Sequence, residues 1–151
     1  MAIRLVELVK ECEGFHKVVK LSSPPMAAPY LCPAGYWTVG YGHLCLPNSP
    51  PCTREQAEAW LKEDLVSASN SVCRLVSVPL TANQRDALTS WVFNLGSGRF
   101  RGSTLRAKLN RGNYSEVPAE MSKWIYGGGV KLPGLIKRRA LEVQLWHQPD
   151  S

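Results

Sequence analysis

Residues 30–43, Tyr-Leu-Cys-Pro-Ala-Gly-Tyr-Trp-Thr-Val-Gly-Tyr-Gly-His, restrict the fold more than any other stretch of this chain. They hold three glycines and four aromatic residues, and no Asp, Glu, Lys or Arg. Small, β-prone and polar residues alternate, and Pro33, Gly35, Gly40 and Gly42 punctuate them. That pattern reads as short strands joined by tight turns, continuing to Leu46. From Thr53 onward the signals are helical. Strands gathered near the N-terminus and helices gathered after them define an α+β fold, a small β-containing lobe followed by a larger helical one.

The helices can be placed by their caps. Leu5, Leu8, Val9 and Cys12 form one apolar stripe, so residues 2–12 read as a helix that Gly14 ends. Thr53-Arg-Glu-Gln56 and Thr81-Ala-Asn-Gln84 have the form of capping boxes. The first opens a long helix to about Val76 that joins the two lobes, and the second opens a helix through Leu95 that Gly96 and Gly98 stop. Ser103 caps a helix ending near Gly112, Ser115 caps one through Met121 and Trp124, and Pro133 starts the last. Phe15–Leu21 reads as β-like. Ser22–Pro29 reads as a loop, because its prolines disfavour a regular element. Pro47–Cys52 reads as a second Pro-rich loop.

At 151 residues the chain suits one domain, spanning residues 1–151. No apolar run is long enough to cross a bilayer, and Glu7, Lys10 and Glu11 interrupt any signal-peptide core near the N-terminus. Synthesis in the cytoplasm is therefore expected. Five cysteines, an odd number, argue against a disulfide framework, although Cys45 and Cys52 could pair in an oxidising compartment. His43, Cys45 and Cys52 lack the spacing of a zinc site, so neither metal nor cofactor is expected. Charge is uneven: residues 1–96 carry eight basic and eight acidic side chains, residues 97–151 ten and four. The surplus suits a polyanionic partner or merely a basic, solvated face. No interleaving of aromatic and basic residues points to nucleic acid.

Glu13 is the first candidate for chemistry. It ends the first helix, where the negative end of the dipole disfavours a charged carboxylate, the condition a general acid needs. From Gly14 to Arg54 there is no Asp or Glu, so any partner in the β region is not a carboxylate. The polar candidates there are Cys32, Thr38, Tyr41 and His43, of which His43 reads better as a satisfied structural histidine than as a base. Glu13, Cys32 and Thr38 are expected to meet across a cleft. The five tryptophans read mostly as core.

Glu13-Gly14 followed by the Tyr30–His43 block resembles the phage-type lysozymes, the endolysins of glycoside hydrolase family 24. Leu80-Thr-Ala-Asn-Gln-Arg-Asp-Ala-Leu, Phe93-Asn-Leu-Gly, Ser103-Thr-Leu, Leu132-Pro-Gly-Leu and Arg138-Arg139 extend the resemblance over nearly the whole chain. The spacer Gly14–Leu31, eighteen residues, is longer than is usual in that family, and its Pro-rich part is expected to project outward. The resemblance implies a lysozyme-like fold and hydrolysis of the β-1,4 bond between N-acetylmuramic acid and N-acetylglucosamine in peptidoglycan. It implies Glu13 as proton donor, and Cys32 and Thr38 as the groups that place water. It also implies Leu44, Phe93 and Thr104 along the saccharide cleft, and Arg138 or Arg139 near its base. It further implies a monomer that reaches the periplasmic wall with the help of a holin, with the positive charge favouring the anionic outer-membrane surface. A lytic transglycosylase and a non-catalytic wall-binding module remain rival readings.

Overall fold

The stripe of Leu5, Leu8, Val9 and Cys12 does form a helix. In the computed structural model, which describes residues 4–15, 18–19, 25–32 and 35–149, α1 spans Leu5–Glu13 and buries Leu8 and Val9 completely. Gly14 (φ +71°) ends it by donating its N–H to Lys10 O at 2.9 Å. The chain divides into two compact units: Val6–Asp64, and Leu65–Ser151 with Met1–Leu5.

The Val6–Asp64 unit contains two small antiparallel sheets. Strands β1 (Val18–Val19) and β2 (Met26–Ala27) pair with each other, and β2 also pairs with β6 (Cys52–Thr53). Strands β3 (Tyr30–Leu31), β4 (Trp37–Val39) and β5 (His43–Leu44) form a meander in chain order. Its register sets Tyr30 opposite Thr38 and Thr38 opposite Leu44. At the first turn, Cys32 N donates to Tyr36 O and Gly35 N to Cys32 O. At the second, Gly40 and Gly42 take φ values of +65° and +79°, which side chains with a Cβ resist. Gly40 also has no room for one: an added Cβ would lie 2.7 Å from Ala57 Cβ.

Helix α2 (Arg54–Leu75) begins where β6 stops. Thr53 N donates to Gln56 Oε1 at 2.9 Å and Gln56 N donates to Thr53 Oγ1 at 3.1 Å, completing the expected capping box. The unit boundary falls within this helix. Beyond it follow α3 (Ala82–Leu95), α4 (Ser97–Arg101), α5 (Thr104–Asn110), a 3-10 turn (Tyr114–Glu116), α6 (Val117–Ser122), the hairpin β7 (Tyr126–Gly127) and β8 (Val130–Lys131), and α7 (Pro133–His147). Leu88, Trp91, Phe100, Leu105, Leu109, Met121 and Leu145 are all at most 1% exposed and form the core of this unit. Full burial of each aliphatic or aromatic side chain contributes about 1.5–3 kcal/mol.

That core also encloses charge. Glu142 Oε1 lies 3.0 Å from Arg139 Nε, and Glu142 Oε2 accepts from Ser90 Oγ at 2.6 Å and from Arg138 Nε at 3.4 Å. Arg139 binds Asn94 Oδ1, and Arg138 donates to Ser90 O. Burial pushes the Glu142 carboxyl up, while the two guanidiniums pull it back. The i−3 and i−4 spacing on α7 supplies both cations.

Four expectations need correction. The Pro-rich segment is not wholly loop: Met26 and Ala27 form β2, and Ala27 is fully buried. Pro25 and Pro29 lie outside that two-residue strand, so it loses no N–H donor. The described part of the spacer is therefore held in a sheet rather than projecting outward; Pro24, Ser22 and Ser23 lie outside the described residues, as do His16, Lys17, Lys20 and Leu21 of the β-like stretch. Ser115 sits within the 3-10 turn and does not cap α6, which starts at Val117 with Pro118 in its first turn, where a missing N–H does no harm. Trp124 lies past the end of that helix. Gly98 lies inside α4; Gly96 (φ +94°) alone breaks the chain from α3. Gly128 and Gly129 make the β7–β8 turn at φ +59° and +80°.

Gly40→Ala should cost about 2 kcal/mol or more in chemical denaturation, from strain at positive φ plus overpacking against Ala57. Glu142→Leu should cost about 3–5 kcal/mol, because it leaves two buried guanidiniums without their anion. A loss below 1 kcal/mol in the second variant would mean that water reaches the cluster.

Candidate active site

The Gly40-Tyr41-Gly42 turn positions Glu13. Tyr41 is 6% exposed, its ring 5.6 Å from that of Phe15. The Lys10 ammonium lies 5.2 Å from the Tyr41 ring centroid, and the Arg54 guanidinium 4.3 Å from that of Phe15. Arg54 Nη1 donates to Tyr41 Oη at 3.4 Å, and Lys10 Nζ to Glu58 Oε1 at 2.7 Å. The Lys10 bond lowers the Glu58 carboxyl, and the same bond raises the lysine. These contacts tie the end of α1 to the hairpin turn and to α2. The next residue, Gly42, then meets the Glu13 carboxylate directly: a Cβ there would lie 2.8 Å from Glu13 Oε2.

The meander provides the polar face. Tyr30, Thr38 and Leu44 are cross-strand partners and share one side of the sheet. Cys32 follows Tyr30 by two residues and keeps that side, since its N–H extends the ladder to Tyr36 O. Thr38 is 4% exposed and its hydroxyl lies 3.5 Å from Tyr30 O. Burial is the largest influence on the Tyr30 phenol and pushes it up; a hydrogen bond with the Thr38 side chain opposes this, and the charges of Glu13, Cys32 and Cys45 add to it. The Tyr30 phenol thus feels Thr38 through a hydrogen bond and Glu13, Cys32 and Cys45 through their charge. Tyr30 was not singled out from the sequence for the site, although its two-residue spacing from Cys32 was the available signal.

The other candidates sort by unit. Leu44 is 67% exposed and lines a cavity of about 340 Å³ with His43, Leu46, Pro50 and Trp60. His43 is structural, as expected: its Nδ1 lies 2.8 Å from Asp64 Oδ2, and its ring stacks on Trp60 at 4.5 Å. Phe93 and Thr104 belong to the helical unit, Phe93 half-buried beneath the Arg138 guanidinium at 5.8 Å and Thr104 exposed at the start of α5. Arg138 and Arg139 both reach the Glu142 cluster. Of the tryptophans, Trp91 and Trp146 are buried, Trp60 and Trp124 half-buried, and Trp37 exposed on the sheet face opposite Thr38. All five cysteines are free thiols, Cys45 and Cys52 included, and burial pushes the Cys52 thiol up.

The phage lysozyme family model matches residues 25–142. The chain belongs to the phage lysozyme family. An endolysin of Acyrthosiphon pisum secondary endosymbiont phage 1 is 48% identical over 122 residues, 78% of this chain and 84% of its own. An endolysin of Bacillus phage B103 is 39% identical over 149 residues, 97% of this chain but 53% of its own. In structure, this lysozyme is similar to the muramidase domain of SpmX from Asticaccaulis excentricus, with a TM-score of 0.80, 35% identity, and 96% and 95% of the two chains covered. The stretch matched by the family model includes Cys32 and Thr38 and begins at Pro25, after Glu13 and within the Gly14–Leu31 spacer.

In this lysozyme, Gly42→Ala should displace the Glu13 carboxylate. Turnover on peptidoglycan should fall about a hundredfold, as expected of a reacting group moved by an ångström. Stability should fall by only about 1–2 kcal/mol. Turnover near that of the wild type would show that the carboxylate need not sit against Gly42.

Proposed function

We propose that Glu13 protonates the glycosidic oxygen while Thr38 and Cys32 place the attacking water. The protein is a peptidoglycan-hydrolysing lysozyme of the endolysin kind. The observation that supports the assignment is the Glu13 carboxylate set against Gly42, in the turn that joins the Thr38 strand to the Leu44 strand, in a segment where residues 14–54 contain no second carboxylate.

In the proposed reaction the bond from the anomeric carbon of N-acetylmuramic acid to oxygen breaks as Glu13 gives its proton to the departing N-acetylglucosamine O4. Water adds to the anomeric carbon and returns a proton to Glu13 or to solvent. Glycosidases commonly set a second carboxylate against the developing oxocarbenium ion. Cys32 is not a carboxylate and is not asked to supply that charge. Cys32 is therefore assigned to positioning. The family resemblance supports Leu44, Phe93 and Thr104 as sugar contacts, a monomer as the working state, and passage to the wall through a holin lesion. No described helix is long and apolar enough to cross a membrane.

Purified peptidoglycan digested with wild type, Glu13→Gln and Cys32→Ser, its soluble products read by mass spectrometry, tests the assignment. The wild type should release reducing-end muramic acid, Glu13→Gln none, and Cys32→Ser a measurable fraction. Products lighter by one water would identify a transglycosylase, and a Cys32→Ser variant as inactive as Glu13→Gln would make the thiolate an essential base or nucleophile.

A further inference from the structure

Between Asp86 and Glu116 the chain carries five basic residues and no acidic one. One of them, Lys108, is neutralised by Glu116 at 3.1 Å and Glu120 at 2.9 Å. Arg106 acts as a fastener: Nε donates to Leu75 O at 2.7 Å and Nη1 to Arg101 O at 3.0 Å. Asn110 Nδ2 donates to the same Leu75 carbonyl at 3.0 Å, and Asn110 Oδ1 accepts from Ser77 N at 2.9 Å. These bonds gather three helix C-termini: α2 at Leu75, α4 at Arg101 and α5 at Asn110. Arg74, Arg101 and Arg111 stand at or beside those ends, with Arg99 two residues back on α4. All four are exposed, and among the described residues none of their guanidiniums has an ion pair or a hydrogen bond.

An arginine at a helix C-terminus ordinarily answers the dipole. Each end carries about half a negative charge, so three ends offset about 1.5 of the five charges on Arg74, Arg99, Arg101, Arg106 and Arg111. A positive surplus is left facing solvent. Its chemistry favours phosphate, because each planar guanidinium offers paired donors that match phosphate oxygens. It does not favour single-stranded nucleic acid, which needs exposed rings for its bases. Phe100 is fully buried, and the Tyr114 hydroxyl donates to Pro79 O at 2.6 Å.

We propose that this arginine cluster docks the lysozyme on anionic phospholipid headgroups, holding it at a membrane that borders the wall it cuts. The surface lies wholly within the helical unit and uses none of Glu13, Cys32 or Thr38.

The test is flotation with vesicles of phosphatidylglycerol and phosphatidylethanolamine, against vesicles of phosphatidylcholine, at low salt. A basic residue near an anionic surface contributes about a fivefold factor, so Arg99→Gln/Arg101→Gln/Arg111→Gln should partition about a hundredfold more weakly. Lys62→Gln/Arg85→Gln/Lys131→Gln removes the same charge elsewhere and should keep most of the binding. Thermal unfolding verifies both variants; should the first be unfolded, Arg111→Gln alone should lose about fivefold. Turnover on lipid-free peptidoglycan should be unchanged in every folded variant, and it tests the catalytic reading separately. Vesicle binding as tight as wild type, equal loss in the charge-matched variant, or binding of a short DNA duplex in place of vesicles would overturn the proposal.

Discussion

The contact between the Gly40-Tyr41-Gly42 turn and the end of α1 is the constraint on which the catalytic unit depends. Two residues at positive φ bend the chain tightly enough to drive Tyr41 inward. There the ring is held between Lys10 and Phe15, with Arg54 reaching from α2. Glycine then does two jobs at neighbouring positions. At Gly40 the missing Cβ makes room for Ala57, and at Gly42 it makes room for the Glu13 carboxylate. The space open to the Glu13 carboxylate is thus set by the backbone of a turn.

In the proposed site a thiol stands where a glycosidase commonly has a second carboxylate, and the same hairpin places it. Period-two alternation brings Tyr30, Cys32, Thr38 and Leu44 to one face, so the polar groups are placed by strand register rather than by mutual attraction. Without an acidic neighbour in residues 14–54, Glu13 meets no like charge from this segment. Burial pushes the Tyr30 phenol further above its ordinary value.

Arginine serves two opposite purposes in the helical unit. Arg138 and Arg139 are buried, and each needs the Glu142 carboxylate because an unpaired guanidinium in the core would cost several kcal/mol. Arg74, Arg99, Arg101 and Arg111 stay in water, where lack of a partner costs little. A net charge of +6 does not reveal this division, since both groups count equally in it.

What the sequence determined by itself was local. Capping boxes at Thr53 and Thr81, the Gly14 stop, the Ser103 cap and the Pro133 start all depend on groups a few residues apart. The Cys32-to-Thr38 block was legible for the same reason, and it pointed to the lysozyme family before any contact was known. Non-local pairing was not legible. Strand β2 exists because β6 lies beside it, twenty-five residues away at Cys52, and a two-residue strand carries no periodicity of its own. Tyr30 joins the site through cross-strand register, Gly42 through its contact with Glu13, and the arginine cluster through side chains bridging three helix ends. Such contacts depend on distances set by the packed chain, and only the tertiary structure decides them.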